Sequence, residues 1–113
     1  MMKIAVLGAG GWGTALAMRL GENGHSVCLW EYDTAYADIL ASTRRNEKFL
    51  PGVTLPESIK VTPDLKAAVS EKSMILFALP SHVIRPVCER IRGFSLGRAL
   101  VVSGSKGLEQ DLL

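Results

Sequence analysis

Ile4-Ala5-Val6-Leu7-Gly8-Ala9-Gly10-Gly11-Trp12-Gly13 joins an apolar run to three glycines in G-x-G-x-x-G spacing. Read as a strand, a tight turn and the opening of a helix, it gives each glycine a separate task. Gly8 permits the turn out of the strand. Gly10, without a Cβ, lets the backbone come close to a pyrophosphate, and Gly13 lets the helix pack tightly on the strand. A phosphate at that turn meets N–H groups that have no partner within the helix, at the positive end of the helix dipole. Glycine-rich turns are common, so the rest of the chain must decide what this one does.

Working outward, apolar runs alternate with segments of helical period. Strands are expected at Lys3 to Leu7, Ser26 to Glu31, Ile59 to Thr62, Ser73 to Leu79 and Ala99 to Ser103. Helices are expected from Trp12 to Asn23, from an Asp33 cap to about Asn46, from an Asp64 cap through Val69, and from a Ser81 cap to about Arg92. Met74 to Leu79 is continuously apolar, as a strand covered on both faces must be. The alternation predicts an α/β fold, a doubly wound parallel sheet of the Rossmann type with right-handed crossovers and helices on both faces. Gly107 to Leu113 reads as the beginning of a further helix, so residues 1–113 are expected to be one dinucleotide-binding domain of a longer protein.

The chain of 113 residues is long enough to bury a core, and its composition of 48% hydrophobic and 21% charged residues is that of a globular protein. A net charge of +2, with basic residues scattered apart from Arg44-Arg45, gives no stripe for nucleic acid. Cys28 and Cys88 lack C-x-x-C or His/Cys spacing, so free thiols in a reducing cytoplasm are expected, with no disulfide or metal site. Met1-Met2-Lys3 and the apolar stretch after it have some features of a signal peptide, but a strand, turn and helix also account for the glycines. No run reaches the roughly 20 apolar residues that a membrane span requires.

Glu31 stands at the end of the second strand, eighteen residues after Gly13. A dinucleotide fold places a carboxylate there to accept from the adenosine ribose hydroxyls, and the same charge repels a 2′-phosphate. No Arg follows it, only Tyr32, so NAD is the expected cofactor, with NADP left open. Trp12 either packs under the cofactor or anchors the first helix in the core. Pro80 closes the fourth strand at the ligand edge of the sheet, and His82 just beyond it reads as a surface residue. Lys106, in Ser103-Gly104-Ser105-Lys106-Gly107, follows the fifth strand at that same edge, where an ammonium can reach a bound anion or a developing alkoxide.

Together these segments resemble the soluble, nicotinamide-dependent glycerol-3-phosphate dehydrogenase family. The resemblance is carried by Gly8 to Ala17, by Asn46 with Phe49-Leu50-Pro51-Gly52, by Leu55-Pro56, by Pro80-Ser81 and by Ser105 to Glu109. Many bacterial members have Ser where this chain has Gly11. The resemblance implies reversible hydride transfer between the cofactor and dihydroxyacetone phosphate or sn-glycerol 3-phosphate, in phospholipid synthesis. It implies that Gly11, Trp12 and Tyr32 line the cofactor site and that Phe49 approaches the nicotinamide end. Lys106 would touch both cofactor and a phosphorylated small-molecule substrate, as the catalytic group. The family's helical C-terminal domain supplies a second catalytic lysine. Residues 1–113 alone are therefore expected to bind cofactor with little turnover, and apolar surface left by that domain's absence could be covered by dimerisation. Two rivals are a dehydrogenase of hydroxy-acid or ketopantoate type and an NAD-binding regulatory module without chemistry.

Overall fold

The computed structural model describes residues 1–103. Its elements, in chain order, are β1 (Lys3–Leu7), α1 (Gly11–Glu22), β2 (Ser26–Trp30), α2 (Thr34–Thr43), β3 (Ile59–Thr62), α3 (Leu65–Val69), β4 (Met74–Phe77), α4 (Ser81–Arg92) and β5 (Leu100–Ser103). The strands form one sheet in the order β3-β2-β1-β4-β5, and every pairing is parallel. Successive strand residues point to opposite faces, so an all-parallel sheet covered twice needs apolar residues at nearly every position. Ile4 and Val6 enter one core with Val27, Leu29, Leu40 and Ile59, on the side of α1 and α2. Ala5 and Leu7 enter the other with Trp30, Leu65, Phe77 and Val87, on the side of α3 and α4.

The chain steps from β1 outward to β2 and β3, then returns past β1 to β4. The reversal leaves a crevice between the C-terminal ends of β1 and β4, the place where open α/β sheets bind ligands. Gly8 leaves β1 there and Ala78 leaves β4 there, with the Ala78 N–H donating to the Leu7 carbonyl at 2.9 Å.

Two helix boundaries differ from expectation. α2 ends at Thr43, because Arg44 adopts a left-handed conformation (φ 62°) and its N–H closes on the Leu40 carbonyl at 2.9 Å. The Arg44 guanidinium then ties the chain to the Pro56 carbonyl at 2.7 Å and to the Ile59 carbonyl. At α4, Pro80 is the N-cap and Ser81 the first helical residue, so no Ser81 hydroxyl cap forms. The caps of α2 and α3 are as expected: Asp33 accepts from the Tyr36 N–H and Asp64 from the Ala67 N–H, each at 3.2 Å. Cys28 and Cys88 are free and half-buried.

Candidate dinucleotide site

The turn after β1 is closed on three sides by protein. Gly8 has φ +122°, a conformation side chains rarely adopt, and a Cβ there would lie 2.4 Å from the Ala78 carbonyl oxygen. A Cβ on Gly13 would lie 1.8 Å from the Gly8 oxygen, so α1 packs on the turn backbone to backbone. A Cβ on Gly11 would come within 2.8 Å of the Phe49 oxygen. Serine at that position would therefore need the 46–50 loop to move. Gly10 differs, because among the described residues nothing beyond its own chain neighbours lies within 4 Å of where its Cβ would be. That open cradle, beside the first turn of α1, fits a pyrophosphate held by backbone N–H groups.

Beneath the turn sits Asn46, a fully buried polar side chain. Its amide nitrogen donates to the Ala9 carbonyl and to Thr14 Oγ1, both at 2.8 Å. Its carbonyl oxygen accepts from the Tyr36 hydroxyl and, at 3.3 Å, from the Phe49 N–H. Its own backbone oxygen accepts from the Leu50 N–H at 2.8 Å. One residue thus joins the phosphate turn, α1, α2 and the Phe49-Leu50 loop. The sequence offered one signal, the recurrence of Asn46 beside Phe49-Leu50-Pro51-Gly52 in the family resemblance.

A cleft of about 230 Å³ opens at the switch point, walled by Gly8, Gly10, Glu31, Tyr32, Tyr36, Lys48, Phe49, Leu79 and Pro80, among others. The structure therefore brings together Gly8, Gly10, Glu31, Tyr32, Phe49 and Pro80 from four separate segments. Glu31 is only 6% exposed, and its Oε2 accepts from the Asp33 N–H at 2.9 Å. Burial pushes its carboxyl above the ordinary range and the Asp33 charge adds to this, while the Asp33 N–H and the Lys48 ammonium oppose it. Tyr32 and Phe49 are exposed at the rim, and the Phe49 ring meets Tyr36 edge-on at 6.0 Å.

Trp12 is placed elsewhere. It is 55% exposed, which rules out the core-anchor reading, and its side chain shares a separate hollow with Leu16, Arg19, Leu50 and Val53. Its backbone lies in the first turn of α1, at the phosphate end. His82 is exposed, as expected. Lys106 lies outside the described residues.

Strand order, switch point and glycine turn define a dinucleotide-binding domain of the Rossmann type. Residues 3–113 match the model of the NAD-dependent glycerol-3-phosphate dehydrogenase N-terminus, and the chain belongs to that family. It is 43% identical over 113 residues to a glycerol-3-phosphate dehydrogenase [NAD(P)+] of Fusobacterium nucleatum, covering 100% of this chain and 34% of that protein. The crystal structure of glycerol-3-phosphate dehydrogenase from Coxiella burnetii superposes with a TM-score of 0.88 at 35% identity, over 93% of this chain and 32% of that one. The Saccharomyces cerevisiae enzyme follows with a TM-score of 0.81 at 27% identity, over 90% of this chain and 33% of that one. The chain spans about a third of the length of the curated relatives it matches. Among the described residues, no helix is long and apolar enough to cross a membrane.

Proposed function

We propose that these residues are the cofactor-binding part of a cytoplasmic glycerol-3-phosphate dehydrogenase that interconverts dihydroxyacetone phosphate and sn-glycerol 3-phosphate for phospholipid synthesis. The observation that carries this reading is the open Gly10 cradle at one end of a cleft whose other wall holds Glu31. The nicotinamide cofactor, when bound, supplies or accepts the hydride. The chain's own groups bind and orient: the N-terminal turn of α1 faces the pyrophosphate, and Glu31 accepts from the ribose hydroxyls. Glu31 has one oxygen engaged by the Asp33 N–H, which orients the other for a ligand donor. Its charge favours NAD over NADP, because a 2′-phosphate beside a carboxylate is repelled. Tyr32 and Phe49 offer ring faces at the rim, and Pro80 turns the chain away so that the edge of β4 stays open. Lys106, assigned by resemblance, would contact cofactor and substrate and stabilise negative charge on the substrate oxygen. Its role is tested by Lys106→Ala in the whole protein: turnover should vanish while most NADH affinity survives. Unchanged turnover would overturn the assignment, and failure to bind either dinucleotide would overturn the cofactor reading.

A further inference from the structure

Among the described residues lining the Glu31 cleft, Lys48 is the only basic side chain, and it shares the cleft with two carboxylates, Glu31 and Asp33. Its backbone N–H donates to the Tyr36 hydroxyl at 3.3 Å, which ties its backbone to the Asn46 network. Its ammonium stands 5.8 Å from the Tyr36 ring centre and 5.2 Å from that of Phe49, two aromatic groups of the same wall. Such placement over ring faces is favourable and directs the charge along the wall. Among the described residues the ammonium forms no ion pair. It is near enough to Glu31 to oppose the effect of burial on that carboxyl. A cation in the same cleft as Glu31, in no ion pair among the described residues, has charge to offer a ligand.

We propose that Lys48 is a specificity residue of this cleft: its ammonium offsets the repulsion of Glu31 for a 2′-phosphate, so that NADP is accepted alongside the preferred NAD. Glu31 sets the direction of the preference and Lys48 limits its size. The proposal rests on the dinucleotide reading above. Lys48 is exposed and outside both cores, so its replacement leaves the fold intact.

The test is a titration of the protein with NADH and NADPH, comparing wild type, Lys48→Met and Lys48→Arg. In Lys48→Met, NADPH affinity should fall about threefold to fivefold, the range expected of one solvent-facing charge contact, with NADH affinity unchanged within about twofold. Lys48→Arg should keep the wild-type ratio. The loss should shrink as salt is raised, since screening over about 10 Å at 0.1 M removes such contacts. An equal loss for both dinucleotides would place the ammonium on the pyrophosphate and overturn the proposal, as would no loss for either. Wild-type protein that binds neither would instead overturn the dinucleotide reading beneath it.

Discussion

Replacing Asn46 by alanine should be among the most damaging single changes to this domain outside its apolar cores. The side chain is fully buried and makes four hydrogen bonds, two donated at 2.8 Å and two accepted. Loss of the amide does not orphan all four partners. The Thr14 hydroxyl keeps its own donation to the Ala9 carbonyl at 3.3 Å, and the half-buried Tyr36 hydroxyl can turn to water. The Phe49 N–H loses its partner, and the Ala9 carbonyl keeps only the weaker of its two bonds. At about 1–3 kcal/mol per buried polar group left unsatisfied, the cost is about 2–4 kcal/mol, against a total of about 5–15 kcal/mol for a domain. Urea unfolding reads this directly, because Trp30 is 1% exposed with its indole N–H on the Pro63 carbonyl at 2.8 Å, and its emission must shift on unfolding. With a slope of ~1–3 kcal/mol/M, the midpoint should fall by ~1–2 M. Tyr36→Phe, which removes only one of the four bonds, should cost under about 1.5 kcal/mol. An Asn46→Ala variant within about 0.5 kcal/mol of wild type would refute the claim that this network holds the turn.

Gly13→Ala should lower the melting temperature sharply and abolish NADH binding, since its Cβ would sit 1.8 Å from the Gly8 oxygen and α1 must lift from β1; a variant that melts like wild type in circular dichroism would contradict the packing. Gly10→Ala should lower the melting temperature only slightly, since alanine caps α1 less well than glycine but meets no clash among the described residues, while weakening NADH binding markedly; a large loss of stability with intact affinity would reverse the roles assigned to the turn. For Glu31, burial raises the folded-state pKa above the unfolded one, so the charged carboxylate costs stability above the folded value and nothing below about 4.3, the unfolded value. Glu31→Gln should therefore raise the melting temperature at pH 7 to 8, with the gain fading as the pH falls toward about 4; a gain independent of pH would show that the carboxyl is not the cause.

The strands were legible because a sheet buried on both faces leaves a continuous apolar run, as in Ile4 to Leu7 and Met74 to Phe77. The crevice was legible too, since the glycine turn and the acid just after β2 mark it from two sides. What could not be read is what depends on contacts distant in sequence. Asn46 lies in the polar stretch Arg44-Arg45-Asn46-Glu47-Lys48, which looks like a solvated surface. Its burial follows from partners 37 and 32 residues away, Ala9 and Thr14. The same contacts explain the early end of α2. A helix continued to Asn46 would carry that amide along the helix surface, whereas the left-handed Arg44 turns the chain back toward the phosphate turn. Trp12 was left open for a different reason: an indole in a glycine-rich turn is compatible with packing under a cofactor or in a core, and its 55% exposure decides only against the core.

The four glycines of the turn are required for different reasons, and the difference bears on function. Gly8 is needed by its conformation, at φ +122°, and Gly11 and Gly13 by backbone atoms at 2.8 Å and 1.8 Å from the space a Cβ would fill. Gly10 has φ −70° and ψ −173°, an extended conformation open to any residue, and open space where its side chain would stand. Glycine costs about a few tenths of a kcal/mol there relative to Ser, Asp or Asn, because position 10 is the N-cap of α1 and glycine brings no side-chain acceptor for the first N–H groups of the helix. Neither the local backbone nor the packing within residues 1–103 compensates for that cost. A purely structural strand-to-helix turn would be better served at position 10 by Ser, Asp or Asn, whose side chain would accept from an N–H of the first turn of α1. The proposed dinucleotide would give glycine a further reason to stand there, by approaching the backbone more closely than a side chain allows. An anion resting on the first turn of α1 would do so, and it would be the fourth wall of a turn that protein closes on the other three sides.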